Sequence, residues 1–216
     1  MSHPEQPPTL NDIDSLANRA LALLTPGSRV ILGIAGCPGA GKTTLARNLA
    51  ERITEIAPET PAVHLPLDGF HLANATLDRL GRHDRKGAID TFDGWGFVAL
   101  LRRLLAEKDH TVYAPNFERT VDEGVAGAVA VLPAARIVIA EGNYLLVDEQ
   151  PWQQVGEIAA EVWFCETSES ERMLRLIDRH VRHGRSPAEA RRWAQTVDGA
   201  NARLVERSRD RATLLV

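Results

Sequence analysis

The run Gly36-Cys37-Pro38-Gly39-Ala40-Gly41-Lys42-Thr43-Thr44 constrains this chain more than any other stretch. It has the form G-x-x-x-x-G-K-[ST], a loop whose backbone N–H groups turn inward around phosphate oxygens. The flanking residues supply the context such a loop needs. Val30-Ile31-Leu32-Gly33-Ile34-Ala35 is apolar and β-branched, and reads as a buried strand. Leu45, Leu49, Ile53 and Ile56 recur at helical spacing, so a helix opens where the loop ends. Its N-terminal dipole favours an anion there. The expected nucleotide cradle is Gly36, Gly39, Ala40, Gly41, Lys42, Thr43 and Thr44. Lys42 would reach the β- and γ-phosphates of the nucleotide, and the Thr43 hydroxyl would hold Mg²⁺.

Composition argues against an accidental match. Only three lysines occur, Lys42, Lys86 and Lys108, among 25 basic residues. At this content a chance match has a probability on the order of 10⁻³. A chain this biased to arginine keeps lysine where a compact point charge is wanted, which draws attention to Lys86 as well. Lys108 falls at an expected helix end, where solvation explains it.

The 216 residues suit one α/β domain with a small insertion. We expect a loose, proline-rich tail over residues 1–8 and a single domain over 9–216. Met1 to Pro8 lacks the basic and apolar regions of a signal peptide. Two cysteines cannot build a disulfide framework, and no apolar run reaches the length of a membrane span, so a cytoplasmic protein is expected. A net charge of −4 gives no electrostatic case for nucleic acid. The oligomeric state, monomer or homodimer, stays open.

Thr9 to Leu24 reads as a helix, with Thr9 and Asp12 in a capping-box pattern. Ala62 to Leu67 reads as a second strand, and Pro66 favours an edge or strand end. That strand delivers Asp68-Gly69-Phe70-His71. A carboxylate at the C-terminal end of a strand lies where open α/β sheets bind ligands. Asp68 is therefore a candidate general base, Mg²⁺ partner, or both. His71 is open between substrate contact and packing. Asn74 to Arg82 reads as a short helix and Trp95 to Ala106 as an amphipathic one. Thr111 to Pro115 and Ala126 to Leu132 read as strands of a small excursion. Asn116-Phe117-Glu118-Arg119 between them is a candidate substrate rim, which also takes in Tyr113.

Arg136 to Gly142 is a third clear strand, and it too ends in a carboxylate, Glu141, followed by glycine. An acidic residue on a neighbouring strand tip holds the Mg²⁺ shell in such loops' proteins. Glu161 to Cys165 and Ala212 to Val216 read as the fourth and fifth strands. Between them Ser168 with Glu171 and Ser186 with Glu189 form two capping boxes, with Pro187 at a first helical position. They define two helices broken at His183-Gly184-Arg185. Arg175, Arg179 and Arg182 share one helical face. With Arg185 they form an expected lid over residues 175–192, covering the phosphates and stabilising charge in transfer.

Together Asp68-Gly69-Phe70-His71, Arg85-Lys86-Gly87 through Asp93, Glu141-Gly142-Asn143 and the Arg179 to Arg185 segment resemble the pantothenate kinase, uridine kinase and phosphoribulokinase group of P-loop kinases. The similarity runs in order from about Val30 to Arg211. The chain also resembles short bacterial proteins labelled nucleoside kinase-like or fructose-transport-system kinase. The resemblance implies an α/β P-loop fold, a five-stranded parallel sheet between helices. It implies Asp68 as the base toward a substrate hydroxyl, Lys86 near phosphates or substrate, Glu141 at the strand end, and Asn201 as a substrate contact. Tyr113-Ala114-Pro115 and Asn116 to Arg119 depart from the substrate segment of pantothenate kinase.

The reading is an ATP-dependent kinase, with Mg²⁺, acting on a hydroxyl of a small metabolite. Two rivals are weighed. A nucleotide-dependent switch would be expected to carry an Asn-Lys-x-Asp guanine-reading motif, and none occurs. A nucleic-acid enzyme would need more stacking and backbone-tracking residues than four Trp, two Tyr and five Phe at this net charge.

Overall fold

The computed structural model describes residues 11–216. The expected tail and Thr9 lie outside them. In chain order the elements are α1 (Ile13–Ala22), β1 (Val30–Ala35), α2 (Lys42–Ile56), β2 (Ala62–Pro66), α3 (Asn74–Leu80), α4 (Gly94–Ala106), β3 (Val112–Glu118), β4 (Glu123–Val131), β5 (Ile137–Glu141), α5 (Gln153–Ile158), β6 (Glu161–Phe164), α6 (Glu169–Arg182), α7 (Pro187–Trp193), α8 (Gly199–Glu206) and β7 (Leu214–Leu215). Five strands form one parallel sheet in the order β2-β5-β1-β6-β7. The strand that feeds the glycine loop is thus central, and β2, which ends in Pro66, lies at an edge where a missing N–H is tolerated.

Alternation along the strands sorts the core into two layers. Ile31 and Ala35 of β1 with Val138 and Ala140 of β5 pack toward α4, α5 and α8, against Phe97, Leu101, Val155 and Val205. Leu32 and Ile34 with Ile137 and Ile139 pack toward α1 and α2, against Leu16, Ala20, Leu49 and Ile53. This parity has a chemical consequence. Glu141 follows 137 and 139, so its carboxylate emerges on the α2 side of the sheet, beside the first turn of that helix.

The helix starts follow ordinary capping chemistry. Asp12 is itself the N-cap of α1, accepting from the Ser15 N–H at 2.9 Å. This corrects the expected Thr9–Asp12 box: Asp12 reaches the orphan N–H directly. Ser186 and Glu189 form the complete box expected at α7, with Pro187 leading the helix. At the opposite end of the sheet from the loop, buried Arg29 donates to the carbonyls of Ala135, Leu104 and Leu132 at 2.7, 2.9 and 2.9 Å. It ties β1 to the end of α4 and to the approach to β5.

The excursion is a two-stranded antiparallel hairpin, β3-β4, with strands longer than the sequence suggested. β3 runs on through Asn116 and Phe117, so part of the expected rim is strand. The hairpin lies against the turn that carries Asp68. A Cβ on Gly69 would sit 2.4 Å from the Pro115 carbonyl oxygen, and one on Gly124 would sit 2.6 Å from the Gly69 oxygen. Gly69 is needed here for close backbone approach.

Candidate active site

The strand ends, the glycine loop, the hairpin and α6–α8 surround one cavity of about 370 Å³. Its floor is the loop. Gly36 has φ of +148°, and a Cβ there would meet the Cys165 carbonyl oxygen at 2.8 Å, so only glycine fits. Lys42, the first residue of α2, is buried and donates to the Cys37 carbonyl at 3.1 Å and to Asn143 Oδ1 at 2.7 Å. Burial holds its ammonium below the usual lysine range, and the nearby Glu141 carboxylate opposes that shift.

The Thr43 hydroxyl donates to Glu141 Oε1 at 2.9 Å, as the strand parity requires. A hydroxyl and a carboxylate side by side are hard oxygen donors, which suit Mg²⁺. Among the described residues there is no cluster of three or more His, Cys, Asp or Glu that could cage a metal alone. Mg²⁺ is usually held by one or two side chains plus phosphate oxygens and water, so the donor set fits that ion. Behind Glu141 sits His64, whose Nε2 is buried without a hydrogen-bond partner and lies 3.5 Å from Glu141 Oε1.

Asp68 lines the cavity in a short 3-10 turn just after β2. His71 Nδ1 is 2.8 Å from the Asp68 carbonyl oxygen, and its ring lies 4.0 Å from Phe92 and 4.9 Å from Phe117. Desolvation lowers its pKa, so His71 is a packed, neutral ring at the wall. Lys86 also lines the cavity, but its ammonium is engaged by Asn74 Oδ1 at 2.6 Å and Asp122 Oδ2 at 2.9 Å, over the Phe117 ring. Asn201 is buried in α8 and donates to the Gly87 carbonyl at 3.1 Å; the Tyr144 hydroxyl donates to the same oxygen at 2.6 Å. Both residues fix the Lys86-Gly87 segment.

Of the expected site residues, the cavity wall gathers Gly39, Lys42, Thr43, Asp68, His71, Lys86, Arg119, Glu141, Arg179, Arg185 and Asn201. Others point elsewhere. Arg175 turns to the outside of the loop and donates to the Ala40 carbonyl at 3.1 Å. Arg182 is exposed and pairs with Asp178 one turn earlier, which diverts it from the face it shares with Arg179. Thr44 is exposed on α2. Tyr113 is 61% exposed, because its neighbours Val112 and Ala114 take the inward positions of β3. Sequence reasoning quoted Asn143, two residues beyond Glu141, as part of a motif but gave it no role; it missed the His180–Asp198 pair at 2.7 Å, which ties α6 to the π-helical turn Ala194–Asp198. It also missed Trp193, on which the Arg185 guanidinium stacks at 3.7 Å. The spacing of Asn143 after a strand-end carboxylate was the one available signal; His180 and Asp198 stand 18 positions apart, and Arg185 meets Trp193 along the short helix α7.

No protein-family model matches the chain. A Schizosaccharomyces pombe protein named "Putative uridine kinase" is 34% identical over 181 residues, covering 82% of this chain and 77% of that protein. A Leifsonia xyli protein named "Pantothenate kinase" is 38% identical over 136 residues, 62% of this chain and 39% of that protein. The crystal structure of a "putative fructose transport system kinase" from a Silicibacter species superposes with a TM-score of 0.87 at 36% identity, covering 96% of this chain and all of that one. With 34% identity over most of both chains and the same fold in a solved relative, the chain belongs to the P-loop kinases of the uridine and pantothenate kinase group, ATP-dependent phosphotransferases with alcohol acceptors.

Proposed function

We propose that this kinase uses Asp68 as general base to transfer the γ-phosphoryl group of ATP to a hydroxyl of a small metabolite. The observation that carries the reading is the meeting of Lys42, the Thr43–Glu141 pair and Asp68 in one cavity. Lys42 and the loop amides hold the β- and γ-phosphates. Thr43 and Glu141 would hold Mg²⁺, which when bound would supply charge neutralisation for the transfer. Asp68 accepts the hydroxyl proton, the freed oxygen bonds to the γ-phosphorus, and the bond to the β–γ bridging oxygen breaks to release ADP. The second half of α6 and most of α7, about residues 175–192, act as a lid on the single domain. Arg179 and Arg185 face the transferring group from that lid, and closure excludes water.

The acceptor is pantothenate-, nucleoside- or sugar-like, the range of the relatives' names. The enzyme is cytoplasmic. Two buried, unpaired cysteines support this, as does the lack, among the described residues, of a helix long and apolar enough to cross a membrane.

The test is an ADP-release screen over pantothenate, nucleosides, sugars and sugar phosphates, with products weighed by mass spectrometry. One acceptor should raise ADP release at least tenfold above background and gain one phosphoryl group. ATP hydrolysis that no acceptor stimulates, and that a protein partner does, would instead favour a nucleotide-dependent switch.

A further inference from the structure

The acceptor end of the cavity holds a guanidinium that the transfer step does not use. Arg119 follows β3 at the hairpin turn and lines the wall with Asp68, Lys86 and Phe117. Among the described residues its charged partner is Asp68, at 3.9 Å from Nη2 to Oδ2, which is beyond hydrogen-bond reach. The neighbouring cation is different. Lys86 is nearly buried and its ammonium is taken up by Asn74 and Asp122. Arg29, elsewhere in the fold, likewise donates to backbone carbonyls. Arg119 thus presents its donor fork to the cavity beside the carboxylate that would receive a hydroxyl proton. The charge of a nucleotide is met by Lys42 and Arg179, which line the same wall.

We propose, resting on the kinase reading above, that Arg119 selects an acceptor carrying an anionic group, a carboxylate or a phosphate ester, within a few bonds of the hydroxyl it offers to Asp68. A planar guanidinium matches either oxyanion through paired N–H donors. It also offsets the repulsion an anionic acceptor meets from Asp68 and from the triphosphate. A neutral nucleoside or sugar would leave the fork in water and gain nothing from it.

The experiment compares matched pairs with ATP: glycerate against glycerol, lactate against propane-1,2-diol, and fructose 6-phosphate against fructose. The first two pairs probe a carboxylate and the third a phosphate ester. In the wild type at least one anionic member should exceed its neutral partner in kcat/KM by roughly 10- to 100-fold, the range of a charge-assisted hydrogen bond. Arg119→Gln should bring that ratio toward one, mainly through KM. Neutral members that react as well as their anionic partners, or an Arg119→Gln loss equal for both, would overturn the proposal. Thermal shifts with a non-hydrolysable ATP analogue are read without turnover. Stabilisation by an anionic member in wild type but not in Arg119→Gln supports anion selection even where no product forms. No shift from any anionic member, together with no anionic preference in turnover, overturns it. The kinase reading fails on a separate readout, the absence of any phosphorylated product from any acceptor.

Discussion

The proposed phosphate and acceptor ends of the cavity are built differently. At the phosphate end, Lys42 is only 7% exposed, and Thr43 and Glu141 are bonded to each other on the tips of a helix and a central strand. At the acceptor end, the Asp68 and Arg119 side chains are 41% and 47% exposed and stand on a turn and a hairpin. The phosphate end is preorganised by the sheet, which suits a group common to every turnover. The acceptor end is assembled from loops, where one scaffold can change its substrate without disturbing its chemistry.

This contrast can be broken by substitution. The largest effect is expected from Lys42→Ala. Losing the phosphate-facing charge should lower kcat/KM by roughly 10³-fold, in the range seen when a preorganised electrostatic donor is removed. Steady-state kinetics with any acceptor measures it, and near-wild-type rates would mean that the loop does not bind the transferred phosphate. Glu141→Gln comes next. The amide keeps the reach to Thr43 but loses the charge, so the Mg²⁺ requirement should rise roughly 10- to 100-fold. Titrating Mg²⁺ at fixed ATP reads this directly, and raised Mg²⁺ should restore much of the rate. An unchanged Mg²⁺ dependence would remove Glu141 from the metal shell. Asn201→Ala is the mildest. It deletes one of two donors to the Gly87 carbonyl, worth about 1 kcal/mol, and should raise the acceptor KM about fivefold with little change in the ATP KM. A rise in the ATP KM larger than that in the acceptor KM would place Asn201 at the phosphate end instead.

The same contrast explains what could be read from the residues. The loop was legible because its backbone path demands glycine at Gly36 and a point charge at Lys42. Asp68 and Glu141 were legible because both end apolar strands and precede a glycine. The five strands followed from apolar, β-branched runs between helical periods, and their parallel arrangement from the family resemblance. The acceptor end resisted reading because its contacts join segments remote in sequence: Lys86 with Asp122, Asn201 and Tyr144 with Gly87, His180 with Asp198. Tyr113 was nominated by residue type, although alternation with Val112 and Ala114 already pointed it outward. Arg182 was nominated by helical phase, and phase says nothing of Asp178 one turn away. The role of Gly69 is the room it gives the hairpin, visible only once β3 lies on the turn.

That one cavity joins a nucleotide to a hydroxyl is tested most directly with Asp68→Asn. The amide keeps the size and hydrogen-bonding reach of the side chain and removes its capacity to take a proton. Turnover on the acceptor found by the screen should be measured beside nucleotide affinity, with and without Mg²⁺. The expected result is a roughly 10²- to 10⁴-fold loss of turnover, the usual range for one acid–base group, with ATP affinity nearly unchanged. A fall in affinity matching the fall in turnover, relieved by raised Mg²⁺, would reassign Asp68 to the metal. Unchanged turnover in Asp68→Asn would contradict the general-base assignment and the chemical link between the two ends of the cavity.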